Sequence, residues 1–296
     1  MNAPIPLPVE LEPTRSSGKT APGGQAITVR DARFARDALA QRWWINGDPV
    51  ATAWFTSLSG TFPRGEAYFI DAVKAHREGA PPELAAAIRA FIQQEVNHTR
   101  EHLVLNRMAS AAGYDMAAID RNVAELMAQL EGRPKILDLA STIALEHFTA
   151  ILAHDLLTHP QELSGTDPHV SGLWRWHAIE EIEHKGVAYD TWLHATRDWT
   201  PGKRWRVRSL MMVLVTRNFI GHRIRDTFML LAQDGLTGWR VKLRVLRFLF
   251  GKPGLLRRVF PAWLAYFRPG FHPWDVDDRH LVPTAEAGLA GIARPA

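Results

Sequence analysis

HAIEEIEHKGVAYD, residues 177–190, places two histidines and four acids in fourteen residues with no proline and one glycine. A solvated helix is polar along its whole length, whereas a metal-binding helix is polar only where the ion sits. At 100° per residue, His177, Glu181 and His184 fall within about 60° of one another on a helical wheel. Val170, Leu173 and Trp174 precede them on that stripe, and Ala188, Thr191 and Trp192 follow. The charged trio therefore interrupts an otherwise mostly apolar stripe. Glu183 and Asp190 point elsewhere, and Glu180 sits at the edge.

Three more segments repeat the pattern. Over 82–111 the stripe reads Leu84, Ile88, Phe91, Glu95, His98 and His102, so the apolar run gives way to EVNH (95–98). Over 52–78 it reads Phe55, Phe62, Glu66, Phe69, Ile70 and Val73; over 136–158, Leu139, Ile143, Glu146, Ala150, Ala153 and Leu157. Each of four long helices carries a carboxylate midway along its apolar face. Carboxylates in an apolar interior are expensive unless paired or metal-bound, and no Lys or Arg lies on these stripes. Two cations would neutralise them. One Glu, a Glu-x-x-His, one Glu and a second Glu-x-x-His form the ligand set of carboxylate-bridged di-iron bundles. A lone Glu-x-x-His is a weak signal; its recurrence on separate apolar stripes is what carries weight. The expected metal ligands are Glu66, Glu95, His98, Glu146, His177, Glu181 and His184. His102, one turn beyond His98, reads as a support or core histidine. His147 and His154 read as ordinary helix residues, and Glu101, Glu180 and Glu183 as surface or ion-pair residues.

Proline and glycine divide the rest of the chain into helix-like blocks near 32–44, 52–78, 82–111, 117–130, 136–158, 169–196, 204–233, 237–250 and 254–266. Asp167 before Pro168 is a predicted helix cap. The expected fold is all-α: a four-helix bundle with additional C-terminal helices. Residues 1–28, rich in Pro, Gly and Ser, are expected to form a disordered arm, and 29–200 the metal-binding bundle. Residues 201–280 are expected to add a basic helical extension packed on the bundle, and 281–296 a flexible tail.

The 296 residues include no cysteine, which excludes disulfides, Cys-ligated zinc and iron–sulfur clusters. Thirteen histidines leave His, Asp and Glu to hold any metal. The start lacks a signal-peptide apolar core, and SLMMVLV (209–215) is far short of the ~20 residues that span a bilayer. The expected location is cytoplasmic, or peripheral to the inner membrane. The net charge of +4 is uneven, because residues 201–270 hold fifteen Lys/Arg and two Asp, or +13, against −9 elsewhere. Arg and Lys interleave with Leu, Phe, Trp and Val over 240–270. That pattern reads first as helices that pack their apolar sides on the bundle and turn their charge outward, and second as a peripheral membrane contact through 201–270. No nucleic-acid-binding motif accompanies it.

With these motifs in hand, the chain resembles the ferritin-like di-iron superfamily. RWHAIEEIEHKGVAYD (175–190), ALEH (144–147) and FHPWDVDD (271–278) more closely resemble a bacterial family of predicted metal-dependent hydrolases, from about residue 30 to 280. The His177-x-x-x-Glu181-x-x-His184 spacing also resembles the fourth ligand helix of arylamine N-oxygenases. That resemblance implies six shared ligands, Glu66, Glu95, His98, Glu146, Glu181 and His184, with His177 as an additional one.

The leading expectation is a non-haem di-iron oxygenase holding two iron ions, with manganese as the alternative metal. It would use O2, an external electron donor and a small organic substrate. Two-metal hydrolysis is the runner-up, and ferroxidase or metal storage a third reading. No G-x-S-x-G element supports a serine hydrolase. FHPWDVDD reads as a segment packed across the bundle with Trp274 as anchor and its acids paired to arginines. The helices beyond the ligand-bearing four offer a homodimer interface.

Overall fold

The computed structural model describes residues 27–34, 41–292 and 294–295. The arm expected over 1–28 lies outside the described residues up to residue 26. Among the described residues the chain is all-α. The ligand-bearing helices are α1 (Pro49–Lys74), α2 (Pro82–Ala111), α4 (Lys135–Thr158) and α5 (Pro168–His184). Around them lie α3 (Met116–Ala128), α6 (Val187–Ala195), α7 (Pro201–Gln233), α8 (Trp239–Phe250), α9 (Leu255–Ala265) and α10 (Val282–Ala287). A two-residue antiparallel pair, β1 (Ala32–Arg33) with β2 (Arg294–Pro295), completes the description.

Local chemistry sets the helix starts. Prolines open α1, α2, α5 and α7, where the missing N–H is no loss. Asp48 and Asp167 cap α1 and α5, each accepting two backbone N–H groups at 2.8 and 3.3 Å. α1 pairs with α2 and α4 with α5, while α7 packs on α1 and α4. Pro63 lies inside α1 and leaves the Ser59 carbonyl without its helical donor. Asn106 of α2 supplies the replacement, donating from Nδ2 at 3.1 Å.

Arg223 fixes α7 to α1. It is buried, donates to Ser57 O and Thr61 Oγ1, and has Asp226 Oδ2 at 2.7 Å as counter-ion. By length and composition α4 is apolar enough to cross a membrane, but 72% of its most apolar window is buried in the bundle. Its apolarity is that of a core helix.

Three segments differ from expectation. Instead of a helix near 32–44, β1 forms at its start and turns follow from Arg42, with Trp43, Asn46 and Gly47 at φ of 58°, 45° and 69°. Those left-handed values cannot continue a helix; residues 35–40 lie outside the described residues. The helix expected over 169–196 is two helices, α5 and α6, parted at Lys185–Gly186. A Cβ on Gly186 would lie 2.4 Å from Trp274 Nε1, so only glycine lets that indole seat against the break. In the segment expected to be a flexible tail, α10 packs on α5 and buries Val282 and Ala285.

FHPWDVDD does lie across this break. Trp274 is buried, the Lys185 ammonium sits 4.6 Å from its ring, and Asp278 takes Lys185 Nζ at 2.5 Å. Asp278 thus pairs with a buried lysine, while Asp277 pairs with Arg279 at 2.7 Å, as expected for the acids of this segment.

Candidate metal centre

Glu66 on α1, Glu95 and His98 on α2, Glu146 on α4, and His177, Glu181 and His184 on α5 are all buried and meet in the bundle interior. His184 Nε2 faces three carboxylates: Glu95 Oε1 at 3.3 Å, Glu181 Oε2 at 3.4 Å and Glu146 Oε2 at 3.7 Å. His98 Nδ1 lies 3.8 Å from Glu181 Oε1 and 3.9 Å from Glu95 Oε2. His177 Nε2 lies 3.0 Å from Glu181 Oε1.

Among the described residues, donor atoms fall into four triads in which all three lie within 4.8 Å of one another: Glu95–Glu181–His184, Glu66–Glu95–His98, His98–His177–Glu181 and Glu66–His102–His177. Glu95 and Glu181 each belong to two triads. Glu66, His98 and His177 also recur, so the cluster could hold two cations, one beside His184 and Glu146 and the other beside His98, His177 and Glu66.

Whether this set suits a metal is decided by the atoms left without partners. Buried polar atoms are ordinarily hydrogen-bonded. Here Glu66 Oε1, both oxygens of Glu95 and of Glu146, and Glu181 Oε2 have no hydrogen-bond partner; nor do His98 Nδ1, His177 Nε2 and His184 Nε2. Each of the seven residues contributes at least one such atom.

The other atoms of these histidines are tied down, as metal-bound imidazoles require. His98 Nε2 donates to Glu180 Oε2 at 3.0 Å, and His184 Nδ1 to Gln94 Oε1 at 3.0 Å. His177 Nδ1 meets His102 Nε2 at 2.9 Å, His102 Nδ1 meets Ser59 Oγ at 3.0 Å, and Ser59 Oγ donates to Asn106 Oδ1 at 2.7 Å. Since the Ser59 proton is spent on Asn106, Ser59 accepts from His102 and His102 accepts from His177. The chain of bonds fixes one tautomer, with the His177 Nε2 lone pair directed at the carboxylates. His102, with both nitrogens engaged, is a support for His177.

The electrostatics agree. Burial holds Glu66 and Glu95 well above the ordinary carboxylate range, and neighbouring carboxylates add to it. Burial likewise lifts Glu146 to about 8, with Glu181 adding and His184 opposing. Burial also pushes Glu181 up, but His184 and His177 together outweigh it and hold its carboxyl well below the usual range. His98 is pushed well below its ordinary value by burial and by His177. Protons and imidazolium thus stand in for positive charge that the carboxylates need. Divalent cations with oxygen and nitrogen donors would replace them.

Several supporting residues lie outside the sequence expectation. Glu180 and Glu101 are fully buried and not at the surface, and both are in ion pairs as the alternative reading had it, Glu101 with Arg100 at 2.7 Å and Glu180 with Arg30 at 3.7 Å. Glu180 holds His98 and accepts from the Arg30 backbone N–H at 3.0 Å; Glu101 accepts from the Phe34 N–H at 3.2 Å. Glu183 forms an ion pair with Arg30 at 2.7 Å. Thr99 donates to Glu66 Oε2 at 2.8 Å. Gln94 and Glu180 each immediately precede a stripe carboxylate, which was the available signal. His147 and His154 lie apart from the cluster, bonded to Ala262 O at 3.1 Å and Asp278 Oδ2 at 3.3 Å.

A narrow pocket with about 40 Å³ of free room, open at its mouth, reaches His177. Trp54, Phe55, Leu58, Phe62, Leu152 and Trp174 supply much of its wall. Asp155 and Glu162 also line it, and Arg258 binds both, reaching Asp155 with two bonds of 2.7 Å. The apolar lining is that of a small-molecule site, and the free room as it stands is far smaller than such a site holds when occupied.

Residues 28–277 match the family model described as "Predicted metal-dependent hydrolase". The chain belongs to that family. No curated protein and no solved structure matches it. The family's description is that of a metal-dependent enzyme, and the interior of this chain holds buried Glu and His groups that could hold a metal.

Proposed function

We propose that this family member is a metal-dependent hydrolase with a dinuclear centre, in which Glu66, Glu95, His98, Glu146, His177, Glu181 and His184 hold two divalent cations. One observation carries the reading: the buried atoms without hydrogen-bond partners include donor atoms from every one of these seven residues. When bound, a cation pair lowers the pKa of water and polarises a substrate carbonyl or phosphoryl oxygen. The protein does the rest. Glu95 and Glu181 would be shared between the two cations, while Glu180, Gln94 and the His102–Ser59–Asn106 chain keep the histidine lone pairs aimed inward. The apolar walls around Trp54, Phe62 and Trp174 exclude water and favour an apolar substrate, and Arg258 pairs with both acids of the pocket. Such a substrate reaches the centre beside His177.

A second reading is oxidation of a similar substrate by O2 at two iron or manganese ions, with an external electron donor. The observation favouring it is the donor set itself, carboxylates and imidazoles from four helices, as in the ferritin-like di-iron proteins that the motifs resemble. Family membership favours hydrolysis, and hydrolysis therefore stands first.

The test is an assay of the protein loaded with Zn(II), Mn(II) or Fe(II) against uncharged apolar esters and amides, with O2 consumption followed in parallel. Metal-dependent hydrolysis that Glu181→Ala abolishes, and that Ala153→Trp in the pocket wall suppresses while metal stays bound, is the expected result. A loaded protein that hydrolyses none of them and consumes O2 would overturn hydrolysis in favour of the second reading.

A further inference from the structure

We propose that the outer faces of α7, α8 and α9 form a docking surface for an anionic lipid bilayer. Among the described residues, ten of the fifteen exposed large apolar side chains fall within 201–270. On α8, Trp239, Leu243, Leu246 and Phe250 are 69, 57, 51 and 50% exposed. Their spacing of four, three and four residues puts them on one stripe about 60° wide. The opposite side carries Val245 and Leu249, which are buried in the core. α8 is therefore apolar on two sides, and the bundle uses only one.

Cations frame the unused stripe. Arg240 and Arg247 flank it on one side and Lys242 on the other, all exposed. α7 repeats the arrangement, with Leu210 (59%), Val213 (51%) and Leu214 (41%) on one face between the exposed Arg206 and Arg217. α9 adds Phe260 and Leu264, each 53% exposed. It packs against α8. It also joins α7 through Trp263, whose indole donates to Thr216 at 2.9 Å while stacking on Phe260 at 5.6 Å. The apolar residues of α9 thus adjoin those of α7.

The occupant follows from the charge. Residues 201–270 carry fifteen Lys/Arg and two Asp. A second copy of this face would bring the same positive charge against it, and like charges oppose such pairing. A nucleic acid would meet the cations but leave the Leu, Phe and Trp stripe in water. A bilayer surface satisfies both, because anionic headgroups take the cations and the headgroup–acyl boundary takes the stripe.

The experiment is flotation of the full chain with vesicles of phosphatidylcholine alone and of phosphatidylcholine mixed with phosphatidylglycerol, at low and high salt. It is run with metal-loaded and with chelated protein, so the result does not depend on the metal centre. Expected is binding to the mixed vesicles that high salt weakens, with little binding to phosphatidylcholine. Lys242→Ser with Arg247→Ser should weaken that binding about 25-fold, at roughly fivefold per cation. Leu243→Ser with Leu246→Ser should weaken it comparably. All four positions are exposed, and circular dichroism confirms that the helices persist. Failure to bind the mixed vesicles, or binding unchanged in both double variants, would overturn the proposal. So would a concentration-dependent dimer that the Leu243/Leu246 variant abolishes without any vesicle binding, which would assign the face to a second copy.

Discussion

Replacing Glu146 with glutamine should stabilise the metal-free protein while removing metal binding. Glu146 is 2% exposed, and burial raises its carboxyl from 4.5 to about 8. The folded pKa lies above the unfolded one, so the stability this group contributes is fully present below about pH 4.5 and is lost as pH rises through about 8. The gap of about 3.5 units between 4.5 and 8 is worth roughly 5 kcal/mol. An amide carries no charge to desolvate, but its unmet hydrogen bonds cost about 1–3 kcal/mol. The net gain above pH 8 is then on the order of 2–4 kcal/mol, a Tm rise of about 5 °C for a chain of this length. Near pH 5 the wild-type carboxyl is protonated in the fold, and the advantage should vanish or reverse. Thermal unfolding in chelator, followed by circular dichroism at about pH 5 and pH 8.5, reads this directly. Added metal should reverse the ranking at high pH, because only the wild type gains stability by binding it. A variant less stable than wild type in chelator at high pH, or a difference that does not change with pH, would refute the reasoning.

Glu180→Gln removes the negative charge that takes the His98 Nε2 proton, and metal affinity measured by competition with a chelator should fall about 10- to 100-fold. Asp226→Ala strands the buried Arg223 guanidinium, whose pKa burial has lowered to about 10. Denaturant unfolding should show a loss of roughly 3–5 kcal/mol. Gly186→Ala places a methyl 2.4 Å from Trp274 Nε1; unfolding curves should show a cost of about 1–3 kcal/mol from overpacking, with a shift in tryptophan emission as the indole moves.

Where the signal was periodic and local, it could be read from the chain. Asp167–Pro168 announces the start of α5, and the stripes through Glu66, Glu95, Glu146 and Glu181 show where each helix interrupts its apolar face. What could not be read depends on contacts distant in sequence. The break at Lys185–Gly186 answers to Trp274, almost ninety positions on, and a lone glycine in a helical pattern is weak punctuation. At the described ends of 32–44, the strand pair at Ala32–Arg33 and the left-handed backbone at Trp43 depart from the expected helix, and neither has a local periodic signal. Glu180 sits at the edge of its stripe, where periodicity assigns no face. Its burial follows from the strap around Arg30 and from His98 on α2. The pocket beside His177 assembles from α1, α4, α5, α7 and α9 and has no contiguous signature.

The most direct test of the central claim is the metal content per chain after anaerobic loading with Fe(II), Mn(II) or Zn(II) and removal of loosely bound ion. The donor geometry predicts about two ions per chain, lost in Glu95→Ala and in Glu181→Ala while both variants stay helical. A chain that retains no metal, or variants that keep the full complement, would contradict the assignment of this buried cluster as a dinuclear metal centre.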